Sequence, residues 1–171
     1  MPRLMPLLLV VSISAGIAPV ACGADSVPRN GPVPYRVIPI EEFASAAKNW
    51  DEEHAPRYAV ITSLDEWRAE FQPTVTMWNQ KPTQPEESLF DHEFLVAVSR
   101  VSDAPARDEE KVLAIKSLVR TDGELRLSYS FVPPAKPAGF KVKNTLLIAI
   151  SRKYLDDKLR IIELEFYRKT G

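Results

Sequence analysis

Asp122–Gly123 stands between two apolar-rich segments, Lys111–Arg120 and Glu124–Val132, and an Asp-Gly pair in that setting closes a tight β-hairpin. In the second segment Leu125, Leu127, Tyr129 and Phe131 alternate with polar neighbours, which defines one inner face. A two-residue turn sets these four opposite Arg120, Leu118, Lys116 and Ala114, so two cations fall on the inner side. Either their stems lie along the aromatic surface, or the turn is longer and the register shifts by one.

Two further runs, Phe94–Val98 within Glu93–Val101 and Thr145–Ile150, are apolar on both faces and read as central strands. Tyr35–Ile40 and Tyr58–Thr62 are shorter strands. In Leu159–Tyr167, Ile162, Leu164 and Phe166 alternate with Glu163 and Glu165, a strand with one wet face. Ser63 followed by Glu66 is a capping box, and Leu64, Trp67 and Phe71 then share one helical face that Pro73 brings to an end. Trp67 and Phe71 read as core rather than as a ligand platform. Glu41–Trp50 holds a helical turn or two, Asp51–Arg57 and Ser102–Glu110 are charged loops, and Pro133–Gly139 is a link that cannot be a strand centre. The expected fold class is α+β (mainly β), a single domain over residues 35–171 with about six mostly antiparallel strands and one or two short helices.

The start of the chain is a leader rather than part of the fold. Arg3 supplies a charge, residues 4–17 are apolar and too few to span a bilayer, and the small residues 18–24 follow. The one cysteine of the chain, Cys22, comes directly after Val20–Ala21. That order resembles the lipobox of bacterial lipoproteins, which implies a signal peptide over residues 1–21 and a diacylglyceryl group on Cys22. The alternative is ordinary cleavage near Ala24, which discards the thiol and releases a soluble periplasmic or secreted protein. Residues 22–34, with three Pro and little to bury, read as a flexible tether. A chain of about 150 residues without disulfides still buries roughly two-thirds of its unfolded surface, enough for one domain.

Composition excludes several function classes. Lys and Arg total 22 against 23 Asp and Glu, a net charge of −1, which leaves no broad basic field for nucleic acid. Lys141 and Lys143 beside Phe140 are too few to supply one. There is no nucleotide-binding loop, no His-Glu-x-x-His and no Gly-x-Ser-x-Gly elbow. Of the two histidines, His54 follows Asp51, Glu52 and Glu53 in what reads as a solvated loop. His92 lies in Asp91–His92–Glu93, where strand periodicity sets both carboxylates on one face and the imidazole on the other. Neither is assigned to catalysis, and no cofactor or metal is expected. Paired carboxylates for carbohydrate chemistry are recognised by geometry, so the sequence leaves them open.

The stretch Val60–Ile61–Thr62–Ser63–Leu64–Asp65–Glu66–Trp67, and then Phe90–Asp91 leading into Phe94–Val98, resembles the PrcB-type domain. That family is named for a spirochaete lipoprotein that stabilises a cell-surface protease complex. Where its members commonly carry a Gly-Gly-Tyr step, this chain has Ser102–Asp103–Ala104–Pro105–Ala106. The resemblance implies a non-catalytic accessory lipoprotein and transfers no catalytic residue.

The functional expectation is an exported, lipid-anchored envelope protein that binds a protein partner. Its candidate contacts are Val75, Met77 and Trp78 in the long segment Gln72–Leu89, and Pro133, Pro134 and Phe140 in and after the proline link. Val75, Met77 and Trp78 either pack back on the body or face a partner. Pro-rich segments lose little entropy on docking. Two other readings stand beside it: an exported hydrolase using scattered carboxylates, and a protease inhibitor presenting the segment Phe131–Phe140.

Overall fold

A computed structural model describes residues 28–48, 56–74, 81–105 and 112–164. Its strands in chain order are β1 (Asn30–Pro32), β2 (Tyr35–Ile38), β3 (Ser45–Ala47), β4 (Arg57–Ile61), β5 (Phe71–Pro73), β6 (Glu93–Pro105), β7 (Leu113–Thr121), β8 (Glu124–Phe131), β9 (Pro137–Ser151) and β10 (Lys158–Leu164). The helices are α1 (Leu64–Glu70) and α2 (Leu89–His92), with 3-10 turns at Ile40–Glu42 and Arg152–Tyr154. The mainly-β expectation holds, but ten strands among the described residues exceed the expected number. The unforeseen β1, β3 and β5 have three residues each, too few to display an alternation.

Three layers result. One sheet has the order β1-β7-β8-β10 and a second the order β2-β9-β6-β4; β3 and β5 form a two-stranded third sheet. All pairings are antiparallel except β8 with β10, which is parallel. Val96, Leu127, Tyr129 and Ile148 belong to the core between the first two sheets. Ile61, Trp67, Phe71, Leu95 and Leu147 belong to a second core on the other face of the second sheet. That sheet is therefore covered on both faces, which is why Phe94–Val98 and the end of β9 carry no polar alternation.

The hairpin settles the two awkward cations by different means. Asp122 and Gly123 both have positive φ, 48° and 79°, so the turn keeps two residues. Arg120 pairs with Leu125 and Leu118 with Leu127, and then a bulge between Ile115 and Ser117 moves Ile115 opposite Tyr129 and Leu113 opposite Phe131. The register does shift, at Lys116 and not in the turn, and Lys116 is exposed. Arg120 stays on the inner side at the end of the sandwich. Its Nε and Nη2 donate to the two carboxylate oxygens of Asp157, each at 2.7 Å. Its Nη1 donates to the Pro28 carbonyl at 2.8 Å. The hydrogen bond to Asp157 pushes the Arg120 pKa above its ordinary value.

The segment expected as tether is structured from Pro28 onward. β1 pairs with β7, Asn30 Oδ1 accepts from the Asp122 amide at 2.9 Å, and Val33 is buried. Pro34 then leads the chain into β2 on the other sheet, so residues 28–38 touch both layers. The proline link is also shorter than expected: β9 begins at Pro137, at a strand end where the missing N–H costs no central ladder bond. Residues Asp91 and His92 lie in α2 and not in a strand, and Glu93 opens β6. The described part of the 41–50 region, up to residue 48, holds one 3-10 turn and β3.

At α1 the capping box forms with one change. Ser63 Oγ accepts from the Glu66 amide at 3.2 Å, while Glu66 Oε2 accepts from Thr62 N at 2.6 Å and Thr62 Oγ1 at 2.9 Å. The reciprocal arm thus reaches one residue before the cap. Ser63→Ala should lower stability by about 1 kcal/mol, read as a shift of the urea midpoint with unchanged slope. The helix ends at Glu70, where Phe71 turns extended, before Pro73 is reached.

Candidate functional site

β2 lies at one edge of its sheet, and period-2 geometry sends its side chains two ways. Tyr35 and Val37 pair with Ile150 and Ile148, face the side of the first sheet, and remain 39% and 49% exposed. Arg36 and Ile38 face the other way, into a groove of about 510 Å³ whose walls include Phe43, Leu89, Glu42 and Glu86. Arg36 Nη2 reaches Glu93 Oε2 at 2.6 Å. Pro82 and Thr83 anchor one wall: Ala44 N donates to the Pro82 carbonyl at 2.8 Å, and Trp67 Nε1 donates to the Thr83 carbonyl at 3.3 Å. The described end of the long segment 72–89 therefore packs back on the third layer.

At the opposite edge a polar chain ties the sheets together. The Tyr129 hydroxyl, fully buried, donates to Glu163 Oε2 at 2.5 Å and sits 3.0 Å from the Tyr58 hydroxyl. Arg100 pairs with the other Glu163 oxygen and lies 3.9 Å from the Phe131 ring centroid. Burial, and then the bond to Glu163, pushes the Tyr129 pKa far above the ordinary phenol value. A hydroxyl held so firmly protonated ties elements together; it does not serve as a base near neutral pH. Tyr58 and Val60 on β4 stay exposed beside it.

A second hollow, about 430 Å³, lies by Ser63, Asp91 and Arg152. Arg152 Nη1 donates to the Phe90 carbonyl at 2.5 Å, which fixes the guanidinium as a clasp between α2 and the turn after β9. Among the described residues no three His, Cys, Asp or Glu side chains gather into a metal-binding group. No described helix is long and apolar enough to cross a membrane.

The residues singled out from sequence meet unequal fates. Cys22, Val75, Met77, Trp78 and His54 lie outside the described residues. His92 is exposed. Pro133 is exposed, Pro134 half-buried, and Phe140, 60% exposed, is the most exposed large hydrophobic among the described residues. Phe140 stands on β9 beyond Thr145, where β6 and β9 continue as a ribbon past the last residues paired to β2 and β4. The β2 groove was not foreseen, because its walls come from two distant stretches of chain, one holding Arg36 and Glu42 and the other Glu86 and Leu89. Its one sequence signal was the short strand at Tyr35. Compared with known proteins, the chain matches no family model, no curated protein sequence and no solved structure.

Proposed function

We propose that this protein is an exported, lipid-anchored envelope protein that works as a non-catalytic binding or accessory module, with a surface protease complex as the partner the PrcB-type resemblance suggests. The observation that carries the reading is Phe140, an aromatic left 60% exposed in the very region where the sequence favours partner contact. Buried aromatic anchors dominate protein interfaces, and an isolated large aromatic at the end of a ribbon suits that role. The leader order of Arg3, the apolar run and Val20–Ala21–Cys22 supports export and anchoring. Two or more acyl chains give a stable anchor where one does not.

The test uses the full chain in a bacterial host. The native protein should fractionate with membranes, and intact mass should show acyl groups on an N-terminal Cys22. Cys22→Ser should lose that mass and move to the soluble fraction. In pull-downs from membranes, Phe140→Asp should reduce partner recovery by at least about tenfold. An unprocessed cytosolic chain, or turnover of a substrate by purified protein, would overturn the reading.

A further inference from the structure

We propose that β2 is the receiving edge for an extended segment of a partner polypeptide, which adds a fifth strand to that sheet and places a Lys or Arg side chain between Glu42 and Glu86. The inference rests on the binding-module reading and assigns it a surface and a ligand chemistry. Four observations converge on this edge.

β2 has β9 on one side and no strand on the other among the described residues. An open edge offers main-chain donors and acceptors to an incoming strand, and alternate side-chain pockets make the choice of strand specific. Both faces of the pleat are prepared. An added strand would cover Tyr35 and Val37 on one side, and would lay every second side chain into the groove against Ile38, Phe43 and Leu89 on the other. Pro34 and Pro39 flank the four residues Tyr35–Ile38, so the docked stretch is short.

Charge selects the occupant. The groove carries Glu42, Glu86 and Glu93 against Arg36, and Arg36 is already paired with Glu93. Among the described residues the Glu86 carboxylate has only a 3.5 Å contact from Ser88 Oγ, and Glu42 has no ion pair. Two carboxylates beside an apolar floor complement a basic side chain on a long aliphatic stem. A second copy of this chain would bring the same acids together, which disfavours pairing of β2 with itself. At the other edge of that sheet, β4, the hollow by its end holds the clasped Arg152.

Labelled acetyl-Val-Lys-Val-Lys-Val-amide and acetyl-Val-Glu-Val-Glu-Val-amide are titrated onto the mature chain by fluorescence anisotropy, with amide hydrogen exchange read in parallel. The basic peptide should bind at least about tenfold more tightly than the acidic one and slow exchange at residues 35–38. The exposed pair Glu42→Lys with Glu86→Lys should invert that preference, and Val37→Glu should weaken both peptides. Equal affinity for the two peptides, no binding, or protection outside β2 overturns the proposal. Protection of β2 that grows with protein concentration alone also overturns it, in favour of a second copy. A membrane partner captured equally well by wild type and the charge-reversed protein removes the β2 assignment and leaves the binding-module reading standing. Substrate turnover removes that reading itself.

Discussion

Trp67→Ala should leave the protein largely unfolded under mild denaturant. The indole is 1% exposed, stacks on Phe71 with ring centroids 4.3 Å apart, and meets Phe43 edge-on at 5.0 Å. Truncation removes the volume that holds α1 and the third sheet on the second, and it also takes from the Thr83 carbonyl one of its two donors, leaving Ser45 Oγ. Core Trp-to-Ala changes cost about 3–5 kcal/mol, against total stabilities of about 5–15 kcal/mol for domains generally. A urea titration followed by circular dichroism should show the midpoint falling by at least about a fifth. Trp67→Phe keeps a ring on Phe71 and should lose clearly less. A midpoint for Trp67→Ala close to that of wild type would mean that the third layer folds independently of the sandwich.

Alkaline pH should expose the Tyr129 network. Its pKa is raised in the folded state above the ordinary value of about 10, so the unfolded chain gives up the phenolic proton first. Unfolding then releases a proton. The contribution is therefore whole below pH of about 10 and declines as pH rises further, by about 1.4 kcal/mol per unit for this one group. Tyr129→Phe should flatten that slope by one proton. At neutral pH it should also cost about 1.5–3 kcal/mol, since the Glu163 carboxylate loses a hydroxyl donor. Urea midpoints of wild type and variant across pH 7 to 11 decide the matter; identical slopes would show that the hydroxyl reaches solvent in the folded state.

Both predictions turn on residues whose burial was readable from the chain, yet whose partners were not. Trp67 and Phe71 announced themselves by helical spacing behind a capping box. Local geometry, however, made Phe71 the first residue of β5, so the pair that stacks most closely bridges two elements. Tyr129 was legible as an inner-face residue of the hairpin. Its hydrogen-bond partners, Tyr58 and Glu163, come from β4 and β10, 71 and 34 residues away. Short connections had suggested a mostly antiparallel arrangement, and the one parallel pair among the described strands, β8 with β10, joins strands that no short connection links.

Periodicity and turn chemistry act over a few residues, and within that range the amino-acid order sufficed. It established the Asp122–Gly123 turn, the inner face of β8, the two-sided burial of β6 and of the end of β9, and the start of α1. Only tertiary structure could decide what becomes of an inner-facing charge. Lys116 is bulged outward and Arg120 is kept inward because Asp157, 37 residues later, arrives to pair with it. The β2 groove arose in the same way, from residues that acquire a common wall only when the layers close. Backbone preference is a local property, whereas burial and charge compensation depend on which distant atoms exclude water from a given place.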